Sequence, residues 1–584
     1  MLRWKLDNLV KEKDFDKEIK YLENLINKLK TYRSKLKPSL SEKTFKELVE
    51  LEEELTEKSN ILGAFVGLKQ SENTKEKHLK VWDAKLNKIG IRATDELLFI
   101  GRWFDGLEVP GLKKLDNKNA KRLFKSIPNL EFSLNKSREL AKHSLSEKEE
   151  QLAIRKNSTG ISTILELYGL ITNDFTYKFR NKEVDSIELL KKYFYSSKAE
   201  DRELAYKALF EPYKNNIEKF HSIYTAVSTN WINMSELRKY KNPIQVRNIS
   251  NGVPDKVVQT VIDTSVKNAN IFHEYFKLKA KLIGMKKLRR YDIYAPVKKI
   301  TKKYSFQESK DLVLDTYKEF HLPFYKKAKE IFDKGCIDSH PRKNKRTGAF
   351  AMLASPNITP YIMLNHDDTY RDVETMAHEL GHGIHDLYTK GNYPSVAHPG
   401  LTLAETASTL GENILFDRLL SRANKTERIT MLSDKIGDAY ASIIRQTFFV
   451  KFEQEVYSKI KDGLTYEQIS DMYFKTLKEQ FGNSLSLPEE FRYEWSYIPH
   501  MFRVPFYTYA YSFGDLLSMS LYAKYKTEGK SFIPKIEKIL AAGGSQDPVK
   551  LLKSIGIDIT KESFWQGGFD TIKARIIELK ELTK

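Results

Sequence analysis

Residues 378 to 382 read His-Glu-Leu-Gly-His. Histidines at i and i+4 leave one face of a helix a single turn apart. From there two imidazoles reach one zinc ion at about 2.0–2.1 Å each. Glu379 sits beside the pair, where its carboxylate reaches a water at the metal and acts as the base of peptide hydrolysis. A catalytic zinc takes a third protein ligand and keeps one position open. Glu405 is the best candidate, in the segment Leu401-Thr-Leu-Ala-Glu-Thr-Ala-Ser-Thr-Leu-Gly-Glu412. Glu412 follows on the same face two turns later, placed to receive an imidazole N–H behind the metal. His385, three residues after His382, is the rival third ligand. Its position along the helix suits it better to a supporting or substrate-contacting role. The chemistry on offer is hydrolysis with one zinc ion as cofactor.

The elements around these residues read as helix. Asp372 is placed to cap the start of the metal-binding helix, and Val373, Met376, Ala377 and Leu380 form its apolar stripe. Gly391 with Pro394 beyond it marks the end. Gly381 and Gly383 each oppose helicity by about 1 kcal/mol relative to Ala, so another backbone or a substrate is expected close by. The Glu405 segment follows a Pro399-Gly400 break and reads as the first turns of a new helix, with small residues Ala407 and Ser408 suited to close packing. Just upstream, residues 347–365 hold two short apolar runs around Ser355-Pro356-Asn357, which predicts a strand pair. Gly348, Ala349 and Phe350 are expected to offer a strand edge to an extended peptide.

Most of the remaining chain shows helical spacing. Ile19, Leu22, Leu25, Ile26 and Leu29 form one stripe, Pro38 ends that stretch, and a second amphipathic block starts near Ser41. No fixed repeat or low-complexity linker interrupts the chain. The Ser-Ser-Lys-Ala stretch near Ser196 suggests a boundary between an N-terminal helical region, 1–195, and a catalytic region, 196–584.

The chain has 584 residues, 41% hydrophobic, and mixed charges make up 30%, a folded rather than a disordered composition. The net charge of +20 raises the question of a nucleic-acid partner. Its basic residues are dispersed, and the densest runs, Lys286 to Arg290 and Arg342 to Arg346, match no nucleic-acid motif, so a lysine-rich solvated surface is the preferred reading. One cysteine, Cys336, permits no internal disulfide. Charges in Met1 to Asn8 do not suit a signal peptide, and no apolar run approaches the ~18 residues that span a bilayer, so the cytoplasm is the expected location. Oligomeric state is not legible.

The run His378-Glu-Leu-Gly-His-Gly-Ile-His385, followed by Ala404-Glu-Thr-Ala-Ser-Thr409, resembles oligoendopeptidase F of the thimet oligopeptidase superfamily. Arg238-Lys-Tyr240, Arg290 to Pro296, Pro360 to Asn365, Ala542 to Pro548 and Phe564 to Gly568 are similar as well, and the resemblance is weakest before residue 200. It implies a mainly α, two-lobed metallopeptidase with a small β-sheet beside the metal-binding helix and a deep central channel, residues 1–195 contributing to the lid lobe. It implies short unstructured oligopeptides as substrates and Glu405 as third zinc ligand. It also implies that His500 and one or both of Tyr509 and Tyr507 stabilise the reacting oxygen, with Tyr509 ranked first. No specific nucleic acid or membrane partner is implied. The competing reading is a non-catalytic peptide- or nucleic-acid-binding protein that keeps the fold. The presence of every expected ligand and of the base argues against it.

Overall fold

The computed structural model describes residues 1–298 and 300–584, and for Glu147, Ser158, Leu401 and Thr402 the backbone alone. Helix follows helix along nearly the whole chain, with three small sheets of two or three strands each among the described residues. The local reasons are those of the sequence. The helix Phe15–Lys30 buries Phe15, Ile19, Leu22, Leu25, Ile26 and Leu29 on one side. Ser41 caps the next long helix, Glu42–Glu72, its hydroxyl accepting from Thr44 N at 3.1 Å. Such a cap contributes about 1 kcal/mol.

The chain divides into two compact units, each assembled from three separate segments. The first takes Met1–Lys142, Lys302–Arg418 and Tyr525–Gly556. The second takes His143–Thr301, Leu419–Lys524 and Ile557–Lys584. Compactness thus draws its lines elsewhere than at the expected boundary after residue 195. Contacts between residues far apart in sequence decide it, and no local composition marks them.

Within the first unit, the predicted strand pair forms. Phe350–Met352 runs antiparallel to Tyr361–Met363, with Ala351 opposite Ile362. A third strand that the sequence did not announce, Ile337–Asp338, pairs in parallel on the far side of Tyr361–Met363. Its two residues are too few to show a period. Phe350–Met352 is therefore an edge strand and Tyr361–Met363, buried throughout, is the middle one.

Basic runs that read as solvated surface are partly internal. Asp338, fully buried, receives Lys345 Nζ and Arg342 Nη1 at 2.7 Å each. In the second unit Arg290 and Arg445 share Glu494 Oε1 at 2.9 and 3.0 Å, while Tyr473 donates to its other oxygen at 2.9 Å. Arg445 follows directly on a π-helical turn, Tyr440–Ile444. Removing one partner from such buried groups costs about 3–5 kcal/mol, because the other charge is left unpaired.

Candidate active site

The helix that carries His378 and His382 runs from Tyr370 to Tyr388. Its N-cap is Thr369 rather than Asp372. Asp372 is the third helical residue and completes a capping box: its N–H donates to Thr369 Oγ1 at 3.3 Å and its carboxylate accepts from Thr369 N at 2.8 Å. The helix stops three residues short of Gly391, which follows in a turn at φ +93°. Val373, Met376, Ala377, Leu380 and Ile384 are fully buried, so the stripe fixes which face carries the histidines.

The two glycines do what was expected of them. A Cβ on Gly381 would stand 2.5 Å from Ser408 Cα and 2.7 Å from Ala407 O. A Cβ on Gly383 would meet Ile331 Cδ1 at 2.6 Å. Gly381 therefore lets the backbone of the Glu405 segment lie directly against the metal-binding helix. Glu405 is not inside a new helix, as the sequence suggested, but at a break between two. Leu401–Ala404 ends there and Thr406–Arg422 begins after it. Ser408 Oγ holds the carboxylate at 2.7 Å.

This packing brings three ligand atoms together. Glu405 Oε2 lies 3.5 Å from His378 Nε2 and 3.4 Å from His382 Nε2. The histidine rings stand 4.9 Å apart at 83°, so their nitrogens converge rather than stack. His378, His382 and Glu405 form the metal-capable group among the described residues, their ligand atoms all within 4.8 Å of one another. Two imidazole nitrogens and one carboxylate oxygen suit zinc. On the far side of His378, Nδ1 lies 3.2 Å from Glu412 Oε2, which orients the ring and its tautomer.

The electrostatics are those of a cation site. Burial lowers the pKa of His378, but the hydrogen bond and charge of Glu412, with Glu405 and Glu379, carry it up to about 9. Burial raises Glu405, and the two histidines and Ser408 outweigh that, holding it at about 2. Glu379 is raised: burial and the charge of Glu405 exceed the pull of both histidines and of a backbone hydrogen bond from Ala351. That last contact ties the sheet to the site. Ile362 and Leu364 donate to Cys336 and Asp338 carbonyls. Tyr361 and Met363 therefore turn to the edge strand, Phe350 and Met352 pair with them, and Ala351 points outward, with its N–H on Glu379.

Other expected residues fall in different places. Gly348 lies just before the edge strand, its carbonyl accepting from Asn365 Nδ2 at 2.7 Å, while Ala349 and Phe350 are half-buried. His385 is buried, hydrogen-bonds the Ala404 backbone and lies outside the ligand cluster. It supports the segment that presents Glu405. Asp386, one turn after His382, was not anticipated. Its carboxyl is buried and pushed up to about 7 by desolvation, with His382 pulling the other way.

His500, Tyr507 and Tyr509 belong to the second unit. His500 stacks near Tyr507, ring centroids 6.3 Å apart, and its Nε2 lies 3.4 Å from the hydroxyl of Tyr511. Tyr507 and Tyr511 meet edge to face at 5.4 Å. Tyr509, ranked first from the sequence, is instead fully buried, its hydroxyl accepting from Asn251 Nδ2 at 2.9 Å. The reason is helical phase. Tyr509 opens the helix Tyr509–Glu528 on its inner face, and Tyr511, two residues on, turns outward at 41% exposure. An alternation Tyr-x-Tyr-x-Tyr on a helix start could have flagged that the three cannot share a face.

A mainly helical protein whose metal-capable His/His/Glu cluster has a glutamate beside it fits the class of metallopeptidases. Comparison with known proteins agrees. Peptidase family M3 matches residues 192–571, and the chain belongs to that family. It is 24% identical to Oligopeptidase PepF of Bacillus subtilis across 99% of this chain and 87% of the relative. A crystal structure from Chlamydophila abortus superposes with a TM-score of 0.88 at 22% identity, covering 99% of this chain and 98% of that one. That of oligoendopeptidase-F from Enterococcus faecium gives 0.70 at 21% identity, over 98% and 99%. The helical fold with few small sheets is thus shared, and the chain is a metallopeptidase.

Proposed function

We propose that this protein cleaves internal peptide bonds of short, unstructured oligopeptides, with one zinc ion held by His378, His382 and Glu405. The observation that carries this reading is the convergence of Glu405 Oε2 on both histidine Nε2 atoms, at 3.5 and 3.4 Å, beside the buried Glu379. Bound there, zinc supplies Lewis acidity, polarising the peptide carbonyl and lowering the pKa of water towards neutrality.

The chain's own residues do the rest. Glu379 takes a proton from the attacking water and returns it to the leaving amine. The Ala351 N–H fixes the carboxylate while it waits. Glu412 holds the His378 ring through Nδ1. The backbone at Gly348 to Phe350, leading into the edge strand, pairs with extended substrate backbone, so affinity comes largely from main-chain contacts and tolerates varied sequence. His500 and the tyrosines beside it, Tyr507 and Tyr511, are hydrogen-bond donors of the kind that stabilise an oxygen that becomes charged as water adds. A single such donor is typically worth about 3 kcal/mol. Tyr509, bonded to Asn251, has a structural role.

The test is cleavage of quenched peptides of about 6 to 20 residues, with and without a chelator and with zinc restored. Chelator-sensitive turnover that zinc rescues and Glu379→Gln lacks is expected. Turnover indifferent to the chelator would sink the reading, as would zinc-loaded protein that cleaves no peptide.

A further inference from the structure

The basic run Lys286-Lys287-Leu288-Arg289-Arg290 has no role in the proposed function. The structure splits it in two. Arg289 turns to Asp292 and Glu203, and Arg290 to Glu494, so both arginines are consumed by the fold. Lys286 and Lys287 instead open onto a groove of about 830 Å³ in the second unit. None of the metal ligands, nor His500 and its tyrosines, lines it.

The groove lies between the facing sides of two helices, Ala269–Leu282 and Glu562–Leu582, above the short strand at Leu288. Its floor is apolar. Leu278 and Leu282 come from one helix, Ile576 and Ile577 from the other, and Ile577 is half exposed. Its rims are cationic. Lys277 and Lys281 stand on the first wall, Lys573 and Lys580 on the second, with Lys584 just past its end. The one carboxylate side chain among the lining residues, Glu274, is engaged by Lys277 at 2.9 Å and also lies within the field of Lys580. The remaining six lysines have no carboxylate within ion-pairing distance among the described residues. Seven ammonium groups set against one carboxylate side chain around one apolar trough leave a net positive field, which a partner's negative charge relieves.

We propose that this groove docks an acidic amphipathic segment of a partner protein, its apolar face on the isoleucine and leucine floor and its carboxylates on the lysine rims. Three features select this occupant. Helices lie in apolar grooves through residues at i, i+3, i+4 and i+7, and lysines on both walls match the charged flanks of such a helix. A single-stranded nucleic acid asks for stacking platforms, and no aromatic or arginine lines the groove. An anionic membrane surface is read by a projecting face, whereas this one is concave.

The experiment uses the full-length Glu379→Gln protein, so that the probe is not cut. The probe is a fluorescein-labelled helical peptide of about 18 residues, long enough for a helix of several turns, with leucines on one face and glutamates flanking them. Anisotropy is expected to show saturable binding that weakens with salt. Lys281→Glu with Lys573→Glu should weaken it at least about tenfold, as loss of opposed charge pairs does. Ile577→Ser, which leaves the charges in place, should weaken it several-fold. Both variants should cleave a short neutral peptide normally on an otherwise unaltered background. Unchanged affinity in the charge variant overturns the proposal. So does equal binding of a scrambled peptide, or full displacement by an oligonucleotide or anionic vesicles at matched charge. The measurement is of binding alone, so it stands or falls apart from the peptidase reading.

Discussion

Gly381 and Ser408 touch backbone to backbone: a Cβ on the glycine would stand 2.5 Å from Ser408 Cα. The contact sets the distance between the helix that carries both histidines and the break that carries Glu405. Gly381→Ala gains helix propensity of about 1 kcal/mol and still should destabilise, because neither backbone can yield without moving a ligand. The expected result is weaker zinc retention against a chelator together with a lower melting temperature. A stabilised variant with normal zinc affinity would mean that the contact does not govern the site.

Glu379→Gln preserves shape and a hydrogen-bond acceptor for the Ala351 N–H while removing the base. Zinc content should stay normal and kcat should fall by about 10²–10⁴, the range general base catalysis supplies. Loss of zinc along with activity would show that Glu379 holds the site together instead.

In the proposed site Glu412 acts on the metal through His378. Glu412→Ala should lower zinc affinity by about 10–100-fold, the usual effect of losing such a partner. With excess zinc, much of the activity should return. Titration with a chromophoric chelator separates the two effects, and unchanged affinity would leave Glu412 with only a packing role.

The tyrosines divide by burial. Tyr511→Phe removes an exposed hydroxyl beside His500 and should lower kcat with little change in melting temperature. Tyr509→Phe should do the reverse. It leaves Asn251 without its partner, costs about 1–3 kcal/mol of stability, and spares kcat. Steady-state kinetics and thermal melts on both variants give the comparison, and a kcat effect confined to Tyr509→Phe would restore the ranking read from the sequence.

Glu453 offers a pH test away from the metal. Burial pushes its carboxyl up to about 8, against hydrogen bonding from Phe506 N and the charge of Arg247. The folded state therefore holds a proton that the unfolded chain releases above its ordinary value near 4.5. Between about pH 4.5 and 8 the folded form binds more protons, so this group's contribution to stability falls as pH rises through that window. Glu453→Gln, which keeps an acceptor for Phe506 N, should flatten the fall and melt higher than the wild type at pH 8. Parallel melting curves across that window would contradict the buried, protonated state.

Local pattern carried a good part of this protein. The spacing His378-x-x-x-His382 determined that two imidazoles share a helix face, because 3.6 residues per turn leave no alternative once the apolar stripe is buried. Gly381 and Gly383 announced a close neighbour, and the runs about Ser355 to Asn357 announced a hairpin, through short-range sterics alone. Tertiary structure decided the rest. Which acid meets the histidines depends on a helix break at Glu405 and on the Ser408 backbone reaching Gly381, contacts between segments separated in sequence. Whether Tyr509 or Tyr511 faces solvent depends on the phase of a helix whose inner side is defined only by what it packs against. The two compact units are woven from six segments, and the fates of neighbouring basic residues, Arg290 sealed on Glu494 and Lys287 left in a groove, follow from burial that no charge count reveals. Sequence fixes what each side chain is able to do, and long-range packing selects which of them meet.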